Sequence, residues 1–398
     1  MRSFFTAAKY LVIVVLLVVV ARLVLTHNED QKKILVVHSY NNDLAWVNDV
    51  DEGVRRAIED AAGRRGPSLN VRTHYMNLRN HPDCNFYKNA TSDVRFTIGD
   101  WQPEVLILID DLAQGLVGFN QVRLNEGADR ARMAGDLNAW LAGDRCQTPD
   151  ISFFGLDQPV TDNFPEVVFA GVNGGVGLYG YDQATNVSGI FERKNYQALI
   201  ETLEALDRAY DGPVDGIMML NDASPTGVTE NGNYLLQDWA PFVAHPPVGA
   251  SDFADWTRAV EEANAGNLML LIANYQNVRD GQGGTVDPET LVQWTERNAK
   301  LPILGANTRF VADGGMMTVA IAGSEQGQVA MELAIAAIDG NPDRPHYDAK
   351  QFLIGMNQSL VRKRNLQLPS IYEAFSREIG TFIEAMEQLY VVQSGENQ

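Results

Sequence analysis

Residues 33–61 constrain the fold more than any other stretch. Lys33-Ile34-Leu35-Val36-Val37 is a short, unbroken, β-branched apolar run, the pattern of a strand covered on both faces. It stops in His38-Ser39-Tyr40-Asn41-Asn42-Asp43. Val47, Val50, Val54, Ala57, Ile58 and Ala61 then return at helical spacing, so a helix follows directly. Strand, polar loop and helix form the first unit of a parallel α/β sheet. Such sheets bind ligands beyond the carboxyl ends of their strands, where His38, Ser39 and Tyr40 fall.

The unit recurs along the chain. Residues 70–76 read as a second strand followed by a turn-rich stretch. Residues 105–109 form a third, running into Asp110-Asp111, where an Asp N-cap predicts a helix. Residues 167–170 lead into Gly171-Val172-Asn173-Gly174, and 187–192 make a short connecting strand. A second cycle follows: strands at 216–220, 268–273 and 302–304, with helices at 196–206, 228–239, 253–263 and 288–299. A strand ends at Ile321, a helix spans 326–338, another strand covers 351–356, and a long helix is expected over 371–390. A chain of 398 residues with 45% hydrophobic content can build two such cores.

The formal charge of −20 argues against a nucleic-acid partner or a broad basic face. At the N-terminus, Arg2 and Lys9 precede an unbroken apolar run, residues 10–21, which is an export pattern. Residues 1–27 are read as an uncleaved anchor in the inner membrane or as a cleaved signal peptide. Cys84 and Cys146 are the only cysteines; in an oxidising compartment they can form one disulfide, the alternative being two separate thiols.

The catalytic motifs fail on inspection. Residues 175–180 spell GxGxxG, but an extended segment follows instead of the helix a dinucleotide site needs, so a loop is expected. Asp110-Asp111 points two ways, which suits a cap and a ligand contact better than an acid/base pair. His74, His81 and Cys84 lack a second cluster to complete a metal site. GxSxG, HExxH and P-loop signatures are absent from the sequence. No catalytic residue, metal or cofactor is expected.

Taken in order, a set of stretches resembles type I periplasmic substrate-binding proteins of the ABC-transporter class, a branch also found as sensor regions of membrane histidine kinases. They are His38-Ser39-Tyr40 with Trp46 and Glu52-Gly53, residues 168–173, Val187-Ser188-Gly189, Asn221-Asp222 with Pro225-Thr226-Gly227, residues 310–315, and Glu325-Gln326-Gly327. The resemblance implies two Rossmann-like lobes joined by three crossing segments, placed at 188–192, 305–309 and 353–356. The first lobe would hold 33–187 and 310–350, with an insertion at 123–162; the second would hold 193–304 and 357–394. It further implies an extracytoplasmic solute-binding protein that takes a small ligand between the lobes and delivers it to a membrane permease. A receptor module signalling to a membrane partner is the alternative, and an enzyme a distant third. No kinase segment is read after Gln398, which favours the binding protein over a sensor kinase.

The candidate ligand-binding residues are His38, Ser39, Tyr40, Trp46, Asp110, Asp111, Asn173, Asp222, Thr226 and Tyr275. They combine aromatic faces, carboxylates and neutral hydrogen-bonding groups, an inventory that suits a small zwitterion such as an amino acid and also a nucleoside.

Overall fold

The runs of apolar residues become strands of two separate sheets. In the computed structural model, which describes residues 13, 15, 16, 31–63, 68–81, 83–144, 151–156, 164–282, 284–378, 382 and 383, the first sheet is six-stranded. Its order is β2 (Leu69–Tyr75), β1 (Lys32–His38), β3 (Val105–Ile109), β4 (Glu166–Val172), β5 (Val187–Phe191) and β11 (His346–Asp348). Every pairing in it is parallel. β1 and β3 bury nearly every residue, as strands covered on both faces must.

The second sheet has seven strands, in the order β7 (Ala244–Ala250), β6 (Gly216–Asp222), β8 (Leu268–Ile272), β9 (Ile303–Gly305), β10 (Met317–Ile321), β12 (Phe352–Asn357) and β13 (Phe382–Ile383). Only β10 and β12 run antiparallel. Each sheet carries an apolar cluster on either face, so each lobe has its own core.

Two of the three crossings are displaced from where the sequence put them; the first falls within the expected 188–192. Residues 310–350 were expected in the first lobe, but β10 lies in the second sheet between β9 and β12. An apolar run identifies a strand without saying which sheet will pair it. The chain therefore crosses after Phe191, at Ala322 and at 349–351, and not at 305–309 or 353–356. The helix Gly323–Ile338 and β11 are the parts of 310–350 that join the first lobe, the helix packing against the helix Ala45–Ala62. The backbones of the two helices touch: a Cβ on Gly53 would sit 1.9 Å from Ser324 O, and one on Gly327 would sit 1.9 Å from Val50 O.

The first turn of that helix also ties the crossings together. The Glu325 carboxylate accepts the backbone N–H groups of Lys350 and Gln351, the latter at 2.8 Å. Gln326 accepts Gly171 N–H at 2.9 Å and donates to Phe191 O at 3.2 Å. Side chains from the second crossing thus hold the backbone of the other two.

Further differences are local. The stretch after β2 contains the helix Cys84–Trp101 in place of turns alone. Its apolar positions, Tyr87, Ala90, Val94, Ile98 and Trp101, are diluted by polar neighbours. β7 was not expected, because Pro246 and Pro247 fall inside it; it lies at the sheet edge, where missing N–H donors are tolerated. The helix expected at 228–239 is Pro225–Leu236, started by Ser224, which accepts Gly227 N–H, with proline in its first turn. The long final helix expected over 371–390 is interrupted: Ser370–Glu378 is helical, Phe382–Ile383 pairs with β12, and 384–390 lie outside the described residues.

Cys84 is disulfide-bonded, while Cys146, the other cysteine in the chain, lies outside the described residues. The apolar run at 10–21 also falls outside them except at 13, 15 and 16. Among the described residues no helix is long and apolar enough to cross a membrane.

Candidate functional site

A cleft of about 530 Å³ opens between the lobes at the carboxyl ends of both sheets, the position at which open parallel sheets take ligands. Of the ten candidate residues, Tyr40, Trp46, Asp110, Asp111, Asn173 and Thr226 line it. His38, Ser39, Asp222 and Tyr275 do not, and each has a structural engagement instead. His38 is fully buried, 2.9 Å from Asp51 and stacked on Tyr75. Tyr275 is buried and donates to Asp313 at 2.7 Å. Asp222 accepts the Ser224 hydroxyl and the backbone N–H groups of Ser224 and Asn277.

Ser39 explains the state of Asp110. The short helix Asp111–Leu116 follows β3 as expected, but the side chain of Asp110 makes no capping bond. The hydroxyl of Ser39, arriving from the end of β1, accepts Ala113 N–H at 2.9 Å and donates to Ile109 O at 2.8 Å. With that donor satisfied from elsewhere, the Asp110 carboxyl is left to the cleft. Asp110 sits at φ +69°, uncommon for any residue but glycine and best tolerated by Asp and Asn. Its side chain is buried, and Oδ2 has no hydrogen-bond partner.

Asp110 begins a row of carboxyls. Asp111 beside it accepts the Tyr179 hydroxyl at 2.7 Å. Glu192, on the first crossing, accepts from the Asn173 amide at 3.4 Å. Glu230, on the second lobe, is ion-paired to Lys194 at 2.7 Å, and its other carboxylate oxygen is buried without a partner. Burial, then the charges of Glu192 and Asp111, push the Asp110 carboxyl well above its ordinary range. Burial also raises Asp111, against the opposing bonds from Tyr179 and Asn173. Glu192 is pushed up to about 7 by burial, with Glu230 and Asp111 adding and Lys194 opposing. Tyr40 stays a phenol, raised by burial and by Asp110 and Asp111.

Several lining groups escaped the sequence reading: Arg79, Trp140, Tyr179, Glu192, Lys194 and Arg309. Trp140 comes from the helix Arg130–Asp144 inside the insertion, and packs edge-on to Tyr179 at 6.1 Å. Tyr179 comes from the GxGxxG stretch, which folds as two 3₁₀ turns, Val176–Tyr179 and Tyr181–Gln183. A usable signal existed for Tyr179 and Trp140, as aromatics in loops next to a strand end. For Glu192 and Lys194 the signal was the crossing expected at 188–192, which put the chain between the lobes without marking either residue as a lining group. Among the described residues no group of three His, Cys, Asp or Glu is placed to hold a metal ion.

No protein-family model matches the sequence, and no curated protein matches it. Solved structures do match in shape. A substrate binding protein with adhesive properties from Clostridium difficile, in its ligand-free, open form, is 14% identical with a TM-score of 0.55, the match covering 85% of this chain and 96% of that one. The ABC domain from Streptococcus pneumonia in complex with L-Trp is 12% identical with a TM-score of 0.53, over 88% and 100%. A conserved domain protein from Vibrio cholerae is 13% identical with a TM-score of 0.53, over 89% and 100%. The fold is that of the two-lobed type I periplasmic binding proteins.

Proposed function

We propose that this chain is an extracytoplasmic solute-binding protein that takes a small ligand, an amino acid or similar zwitterion, into the interlobe cleft for a membrane permease. One observation carries the reading. Buried polar atoms without partners meet at the cleft from both lobes: Trp46 Nε1 and Asp110 Oδ2 from the first, Glu230 Oε2 and Asn274 Nδ2 from the second. Unpaired buried polar groups are costly and rare outside functional sites, and a ligand spanning the cleft would satisfy donors and acceptors on both sides. Aromatic faces of Tyr40, Trp46 and Trp140 suit an apolar side chain. Arg79 and Arg309, with the hydroxyl of Thr226, offer partners for a ligand carboxylate. The fold neighbours that carry a bound L-Trp or the description of a substrate binding protein support the same reading.

The test is a thermal-shift screen of the purified protein against amino acids, sugars, nucleosides and small carboxylates. A ligand at about 100 times its dissociation constant should stabilise the protein by about 2.7 kcal/mol. If no compound of any class moves the melting temperature, the reading falls. Fractionation of cells expressing the full chain addresses its location, with recovery in the cytosol the contrary result.

A further inference from the structure

The cleft holds an asymmetry that a zwitterion alone does not require. Four carboxyls, Asp110, Asp111, Glu192 and Glu230, line it in mutual electrostatic reach. Glu230 has a short ion pair, with Lys194. Asp111 is bonded to the neutral Tyr179 hydroxyl, and Glu192 to the neutral Asn173 amide. Asp110 is 7% exposed and Oδ2 has no partner at all. The cations near the row are exposed or engaged, and Arg79 and Arg193 offset only part of the burial at Asp110 and Asp111. Arg79 is exposed, Arg309 is paired with Asp313 at 3.3 Å, and Arg193 is bonded to the backbone of Asn173 and Gly174. Aromatic rings complete the wall beside the carboxyls: Tyr40, Trp140 and Tyr179.

We propose that the ligand is selected by a protonated amine, which seats on the carboxyl row of Asp110, Asp111 and Glu192 beside the faces of Tyr40 and Trp140. This deepens the solute-binding reading and rests on it. The chemistry is that of ammonium recognition, in which a desolvated carboxylate supplies the charge and aromatic faces supply a second attraction to the cation. A ligand carboxylate is then secondary, and amines without one should bind. Because Glu192 lies on the crossing between the lobes and feels both Asp111 and Glu230, an ammonium there offsets the repulsion each exerts on its carboxylate. The row therefore links ligand charge to the approach of the lobes.

The experiment uses matched compounds measured by calorimetry on the full chain: L-phenylalanine, phenethylamine and 3-phenylpropionate, the aliphatic equivalents, spermidine, and neutral sugars and nucleosides. The expected result is that every binder carries a protonated nitrogen and that removing the amine abolishes binding, while removing the carboxylate leaves it measurable. Asp110→Asn, a residue that also tolerates positive φ, should weaken the best amine about tenfold or more. Glu192→Gln, at a less buried position, should weaken it as well and serves if the first variant folds poorly. If a sugar, nucleoside or deaminated acid is the best binder, or both variants bind amines unchanged, the amine proposal is overturned and the solute-binding reading stands. If nothing binds, both fall together.

Discussion

Asp110 and Asp222 each stand at the carboxyl end of an inner parallel strand, β3 in the first lobe and β6 in the second, and they differ in how they are bonded. Asp222 is fully buried and saturated, accepting from Ser224 and from the backbone and side chain of Asn277. Asp110 is nearly as buried, yet one oxygen has no partner and its neighbours are other acids. The same residue type at the carboxyl end of a parallel strand is in one lobe part of the fold and in the other part of the cleft wall. What separates them is who caps the following helix. Ser224 begins its own helix and binds Asp222 in doing so, whereas the helix after β3 is capped by Ser39 from another strand.

The comparison breaks most sharply in stability. Asp222→Ala should lower stability by about 3 kcal/mol, because several buried donors lose their acceptor at once; chemical denaturation measures it. A loss below about 1 kcal/mol would place Asp222 nearer the site than the fold. Asp110→Asn should act in the opposite sense. With the uncompensated charge gone, the ligand-free protein should gain about 1 kcal/mol, seen as a higher melting temperature at alkaline pH. Destabilisation by that substitution would make the two aspartates alike.

The pH dependence sharpens the contrast further. Glu192 titrates near 7 in the folded protein against an ordinary value of 4.5, so the folded state holds a proton that the unfolded state releases. Its contribution to stability is therefore present at low pH and lost as pH rises through about 7. The groups facing it are Lys194, Glu230, Asp111 and Asn173, with Asp110 beside Asp111. Ligand-free melting temperature should rise from about pH 8 to about pH 6, while affinity for an amine falls over the same interval as carboxylates are lost. Both trends should fade in Glu192→Gln. The smallest effect is expected for Tyr179→Phe, which removes one hydrogen bond to Asp111; amine affinity should drop about threefold.

The fold was legible where burial alone shapes the sequence. β1, β3, β6 and β8 are continuous apolar runs because helices cover both faces, and the polar residues after β1, β3 and β4 bring Tyr40, Asp110, Asp111 and Asn173 to the cleft. Legibility failed where partners were chosen at a distance. Met317–Ile321 reads as a strand but gives no hint of pairing with β9 and β12. Ser39 reads as a ligand contact because its hydroxyl faces a strand end, and only tertiary structure shows it bonding Ala113 and Ile109. Glu192 reads as the end of a connecting strand that crosses between the lobes, but nothing local says that it and Lys194 face the cleft.

The bonds that Glu325 and Gln326 send to Lys350, Gln351, Gly171 and Phe191 also bear on movement. Three crossings that could each swivel by themselves are stitched into one joint. Bending any one of them without the others would strip hydrogen-bond partners from backbone groups of the others, so the three are expected to bend together. A cleft whose lobes turn on one joint meets its ligand in one register, which gives the positions of Asp110 and Glu230 relative to each other a definite meaning.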